Sequence, residues 1–224
     1  MKVMFFIVSF LLVVTAATVF NQHHVHDSFS AIYVIVIFFL ALNLLITYWE
    51  VILWYKADFI KEKSDEFYLA HHEDKSIPMS NFMNSKVTLG TLFSATYWAG
   101  VWIGYSMYDR SYADKKSFGF SIDVGNGLST MIPCLILHFG FTYHFLDANI
   151  LGMIMLAVMW QMGYGTLVYW FSFLVNGRHK LLSTGQNIVV IIGSNVPWFI
   201  FSCIGLFAAT RLIVDNNFSI LLRG

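Results

Sequence analysis

Residues 118–145 read FGFSIDVGNGLSTMIPCLILHFGFTYHF, and this stretch decides the fold class. Asp123 carries its only full charge. A helix of this length covers a bilayer, whose hydrocarbon core takes roughly 20 mostly apolar residues. Nothing in the rest of the chain offers a soluble alternative. The 224 residues are 58% hydrophobic, 18% aromatic and 12% charged, with a mean hydropathy of +0.66. An ordinary soluble domain is about 25% charged. This chain has too little polar surface to stay dissolved, so it belongs to the polytopic membrane class. Net charge is zero and no basic block occurs, which argues against nucleic-acid binding. Cys134 and Cys203 both fall in apolar segments. Such spacing makes neither a disulfide framework nor a zinc ribbon.

Outward from residues 118–145, six apolar segments have spanning character: Val3–Phe20, Ala31–Tyr55, Val87–Met107, Phe118–Phe145, Ile150–Val175 and Asn187–Thr210. The expected fold is an all-α integral membrane protein, a bundle of five to six transmembrane helices in one polytopic domain over residues 1–224. The first segment reads as a retained anchor. Lys2 ahead of it and the small residues at Thr15–Ala17 make a signal peptide the alternative. Residues 56–86 form the long loop. With six spans, the basic residues of the N-terminus, long loop and tail outnumber those of the other side by eight to five. Orientation follows Lys and Arg, so both termini are expected in the cytoplasm; no feature selects the membrane.

Trp49, Trp54, Tyr55, Tyr105 and Tyr108 lie near span ends, where amphipathic rings favour the headgroup level. Thr96, Gly100 and Gly104 follow a small-xxx-small spacing that lets helices approach closely; a contact within the monomer is expected. Pro133 and Pro197 each remove a backbone donor and should kink their helices.

Polar residues recur at helical spacing inside these segments. Asp123, Asn126, Gly127, Thr130, Cys134 and His138 fall on about one third of a helix circumference at roughly 100° per residue. Asn43, Thr47 and Glu50 make a similar row. Gln161 and Tyr164 lie in the fifth segment, and Asn195, Trp198 and Ser202 in the sixth. Lipid penalises such faces, so they are expected to point at one another as a polar seam. A charge at the bilayer centre costs about 3 kcal/mol on insertion scales. Asp123 and Glu50 therefore need partners or a wet cavity, and intramembrane acids are candidate functional groups. Glu50 also lies near a span end, where reaching the headgroups is its alternative role.

His23, His24 and His26 with Asp27 form one polar cluster, and His71, His72, Glu73 and Asp74 another. Neither has the one-face helical spacing that pre-organises metal ligands, and no metal site is expected. No GxGxxG, P-loop or GxSxG sequence occurs, and no cofactor is implied. Asn217-Phe-Ser219 is a formal glycosylation sequon; in the six-span topology it faces the cytoplasm.

The segment Asp123-Val-Gly-Asn-Gly-Leu-Ser-Thr-Met-Ile-Pro133 resembles the EXPERA family of emopamil-binding sterol isomerases and sigma-2 receptor-type proteins. Gln161-Met-Gly-Tyr164-Gly165-Thr-Leu-Val-Tyr169 is similar to that family's Gln-x-Tyr-Gly-x-x-x-Tyr, with one extra residue after Gln. Asn195-Val-Pro-Trp198 is similar to its Asn-x-x-Trp. The resemblance covers the C-terminal half of the chain only. It implies a sterol or other lipid-like ligand, Asp123 as a proton donor, and Asn195 with Trp198 lining the pocket. It also implies aromatic stabilisation of a cationic intermediate. The family's His-x-x-x-Glu is replaced by Asn43-x-x-x-Thr47, with Glu50 three residues further on as the second acid.

The sequence thus points first to a membrane protein that binds or processes a lipid or sterol-like molecule. Asp123 and Glu50 would be its acids, and Asn126, Thr130, His138, Gln161, Tyr164, Asn195 and Trp198 its ligand-binding residues. A small non-catalytic subunit, partnered within the membrane, is the second reading. A proton-coupled carrier is the third, although many carriers have two related halves and no internal repeat occurs here.

Overall fold

A computed structural model describes residues 1–71, 73–186 and 191–223. His72, and hence part of the second histidine cluster, lies outside the described residues, as does the start of the expected Asn187–Thr210 span. The helices are α1 (Val3–His26), α2 (Ala31–Tyr55), α3 (Ala57–Ala70), α4 (Ile77–Asn84), α5 (Leu89–Leu92), α6 (Ala95–Trp98) and α7 (Gly100–Ser106). They continue as α8 (Phe118–Tyr143), α9 (Ala148–Val175), α10 (Thr184–Gln186), α11 (Gly193–Asp215) and α12 (Ser219–Leu222). Two short 3-10 turns, Arg110–Ala113 and Arg178–Leu181, complete the order. Among the described residues β structure is limited to two isolated bridges.

Five helices, α1, α2, α8, α9 and α11, are long and apolar enough to cross a membrane. Their 23 to 28 residues extend about 35–42 Å at 1.5 Å per residue, beyond the ~30 Å hydrocarbon core. The protein is an all-α, multi-pass integral membrane protein.

The segment Val87–Met107 departs from the expected continuous span. It divides into α5, α6 and α7, none longer than 7 residues. Local capping explains the breaks. Thr88 and Thr91 form a reciprocal capping box at the start of α5, and the Ser94 side chain accepts from Tyr97 N–H at the start of α6. Each cap starts a new helix where an apolar count reads one. Trp98 Nε1–H donates to Leu92 O at 2.9 Å, which ties the broken segments together.

The described chain forms two compact units. The first comprises Met1–Ser9, Thr47–Leu128 and Tyr169–Ile192. Its N-terminus pairs with a later segment: Val3 N–H donates to Ser85 O and Val87 N–H to Met1 O. Helix α7 packs on α4 at the two expected glycines, because a Cβ on Gly104 would lie 2.9 Å from Met79 Cα and one on Gly100 would strike the Phe82 ring. The small-residue row therefore serves a contact within this unit. Aromatic rings fill much of the interior. Trp49 is 6% exposed and stacks on Trp98 with centroids 5.9 Å apart, so it is a core residue; Trp54 and Tyr55 are exposed.

The second unit comprises Phe10–Ile46, Ser129–Val168 and Gly193–Gly224. Tyr33, Phe39, Leu137, Phe141, Met155 and Leu212 are among its core residues. Cys134 is buried in that core and Cys203 is exposed. Pro133 and Pro197 sit inside α8 and α11.

Candidate functional site

The strongest concentration of buried polar chemistry lies in the first unit, built from four pieces of chain. Near the end of α2, Glu50 is 4% exposed, so it is buried and does not reach for the headgroups. Near the start of α8, Asn126 Nδ2 donates to both Glu50 carboxylate oxygens, at 2.9 and 2.8 Å. Gly127 permits this approach, since a Cβ there would lie 2.6 Å from Glu50 Cβ. Asp123, one turn earlier on α8, is half-buried and within electrostatic reach of Glu50.

Asp109 and Tyr112 come from the turn between α7 and α8. The Tyr112 hydroxyl is within hydrogen-bond reach of both Asp123 and the Tyr169 hydroxyl. Burial, and after it the nearby Asp123 carboxylate, hold the Tyr112 hydroxyl well above the ordinary tyrosine range, so it stays a donor. Tyr169, near the end of α9, donates to Asp109 Oδ2 at 2.8 Å. The Asp109 side chain is fully buried and also accepts from Ser111 N–H at 3.0 Å.

Arg178 balances that buried charge. Gly177, at φ 68°, ends α9 in the left-handed conformation that glycine adopts without strain. Past this turn, Arg178 Nη1 donates to Asp109 Oδ1 and Oδ2 at 2.9 and 2.7 Å, and Nη2 donates to Ser172 Oγ at 3.0 Å. The guanidinium lies over the Tyr169 and Phe173 rings, 5.6 and 5.4 Å from their centroids. An unbroken row of polar contacts thus runs Arg178–Asp109–Tyr169–Tyr112–Asp123.

Aromatic faces accompany the row. Trp102 packs on Tyr112 with centroids 5.3 Å apart, and Tyr105 on Tyr112 at 5.0 Å. Trp102 Nε1–H donates to Trp49 O at 2.6 Å. Three carboxylates, one guanidinium and a wall of π-faces suit protons or positively charged, hydrophobic groups, which ring quadrupoles attract.

Comparison of the chain with known protein families, with curated proteins and with solved structures finds no match.

Of the residues expected from sequence, Asp123, Glu50 and Asn126 are brought together in the first unit. Thr130, His138, Gln161, Tyr164, Asn195 and Trp198 belong to the second. There, His138 Nε2 pairs with Thr18 Oγ1 at 2.8 Å, and Thr130 is buried. Gln161 Nε2 donates to Ser129 Oγ at 2.8 Å. Trp198 Nε1 donates to Asn43 Oδ1 at 3.3 Å, and Asn195 Nδ2 to Ser194 Oγ at 3.1 Å. Tyr164 departs from the expected inward face. It is 55% exposed and stacks against Trp160, because α9 is apolar all round and its phase alone selects no inner side. Asp109, Tyr112 and Arg178 were not foreseen from the sequence. They lie in connections, where no periodicity marks them; Tyr169 entered only through the family resemblance.

His26 of the first cluster serves the second unit. His26 Nε2 pairs with Thr142 O at 2.8 Å, and His26 stacks on His144, which stacks in turn on Phe218 with centroids 3.7 Å apart. Burial, and after it the neighbouring His26, lower the His144 pKa to about 4. The unfolded chain, titrating near 6.5, then takes up the proton first. His144 contributes stability above about pH 6.5 that is lost as pH falls from there toward 4. Thermal melts in detergent should show the midpoint falling across that window. His144→Asn, which tolerates the φ of 51° at this position, should flatten the fall; an unchanged slope would refute the assignment.

Proposed function

We propose that the protein binds a hydrophobic molecule with a cationic or proton-accepting group, of lipid or sterol type, against the Glu50–Asp123 pair. The observation that supports this is the approach of two carboxylates from two apolar helices, one clamped by Asn126 and the other by Tyr112. Two such groups in a low-dielectric site repel, and the repulsion is relieved by a shared proton or by a positive ligand. A proton held there can be given to a double bond or amine, and the cation so formed would be stabilised by Trp102, Tyr105 and Tyr112. The EXPERA-like segment from Asp123 to Pro133 agrees with that chemistry. Asp123 is the donor in this reading, Glu50 is the second acid, and Asn126 fixes the orientation of Glu50.

Native mass spectrometry of gently purified protein, followed by extraction and identification of bound lipids, tests the reading. Charge-assisted hydrogen bonds are worth about 1.5–3 kcal/mol, so Asp123→Asn and Glu50→Gln should each lower retention of the specific lipid by ~10–100-fold. The exposed Asp58→Asn serves as control. Equal retention in all three variants would refute the proposal. A stoichiometric protein in place of a lipid would favour the subunit reading, to which the exposed Trp160–Tyr164 stack on α9 lends itself.

A further inference from the structure

The five-helix count changes the orientation of the chain. If Val87–Met107 does not cross, the segments preceding α1, between α2 and α8, and between α9 and α11 share one side. The α1–α2 and α8–α9 connections and the residues after α11 share the other. The chain has 13 basic residues. Lys2, Lys56, Lys61, Lys63, Lys75, Lys86, Arg110, Lys115, Lys116, Arg178 and Lys180 fall on the first side. Arg223, with Arg211 in the last turns of α11, is all that the second side has.

Orientation is set by basic residues within about 15–20 positions of the span ends. Lys86 alone lies well outside that reach, and the bias survives its omission. The acids cannot reverse it, because Asp and Glu contribute little to the rule. The six-span reading, by contrast, put Arg110, Lys115, Lys116, Arg178 and Lys180 opposite the long loop and so erased most of the bias. Cleavage of α1 would leave the charge bias intact, since nearly all the basic residues follow α2.

We infer that the protein inserts with residues 56–117 and 176–186 in the cytoplasm and its C-terminal residues on the opposite face, and that its buried carboxylate–tyrosine cluster is served from the cytoplasmic side. The second clause rests on the functional reading above. Glu50 is five residues from the end of α2, Asp123 five from the start of α8, and Tyr169 six from the end of α9. All three helix ends meet the basic side. Asp109, Tyr112 and Arg178 lie in the basic segments themselves, outside the spans. Protons and the polar end of the ligand therefore reach the cluster from the cytoplasm. The Asn217 sequon passes to the non-cytoplasmic face, two residues beyond the end of α11.

Single cysteines at exposed positions test the orientation in sealed bacterial cells with a membrane-impermeant maleimide. The parent protein, whose Cys134 is buried and Cys203 lies within α11, gives the background. Arg223→Cys and His24→Cys should label in intact cells. Lys116→Cys should label only after permeabilisation. Labelling of Lys116→Cys from outside, or protection of Arg223→Cys, would overturn the inference. Should a variant fail to accumulate, C-terminal fusions decide in its place: alkaline phosphatase active and green fluorescent protein dark supports it, and the reverse refutes it. None of these readouts involves ligand, so a failure here leaves the lipid-retention experiment to judge the acid pair separately.

Discussion

Arg178→Met should lower the thermal midpoint in detergent more than any other single replacement of a charged residue in the chain. The guanidinium is the only cation bonded to the fully buried Asp109 carboxylate among the described residues. Removing one partner of a buried ion pair costs about 3–5 kcal/mol, because the other charge stays buried and uncompensated. For a chain of this size that is a fall on the order of 10 °C. Arg178→Lys should fall between, since an ammonium keeps the charge but cannot serve Asp109 and Ser172 with one rigid fork. Adding Asp109→Asn to Arg178→Met should recover part of the loss, because the stranded charge is gone. Exposed Lys180→Met is the control. A wild-type melt for Arg178→Met would show that the pair carries no stability.

Gly127→Val should separate α8 from α2 and abolish lipid retention together with stability. A Cβ on Gly127 would lie 2.6 Å from Glu50 Cβ and 3.0 Å from Val51 N. The clash is partly with backbone, so no rotamer change relieves it. Overpacking of this kind costs typically about 1–3 kcal/mol, and the branched side chain adds crowding that alanine lacks. The displaced helix carries Asn126 away from Glu50, so Gly127→Ala should already weaken retention while the protein still folds. Gly125 is the internal comparison, two residues earlier on the same helix. Nothing lies within 4 Å of a Cβ built there, and Gly125→Ala should be neutral or stabilising by about 0.5–1 kcal/mol through helix propensity. Equal effects at the two glycines would remove the close approach from the account of the site.

The membrane fold was legible because burial in lipid imposes one simple demand, a long apolar run, and five runs meet it without tertiary help. Val87–Met107 misled for the converse reason. It is apolar enough to count as a span, but Thr88 and Ser94 restart the helix, and capping is a local signal that an apolar count ignores. Helical phase correctly grouped Asp123 with Asn126, since both lie on one helix. It could not place Tyr164, because α9 is apolar on every side. Glu50 near a helix end looked free to reach water, and only the approach of Asn126 and Gly127 explains its burial. Asp109, Tyr112 and Arg178 were beyond periodicity altogether. Their meeting depends on Gly177 ending α9 and on the turn that follows α7, which are properties of the folded chain.

The backbone pairing of Met1 and Val3 with Val87 and Ser85 imposes an order on biogenesis. Residues 1–3 cannot complete these hydrogen bonds until about eighty-five further residues have been made. By then the whole of α1 and α2 has been made. Synthesis at roughly 5–20 residues per second is far slower than local folding, so residues 1–3 wait for their partners through the synthesis of α1 to α4. A bulky fusion placed ahead of Met1 would intrude on that late step and leave the earlier ones untouched. Tags placed at the other end would spare it.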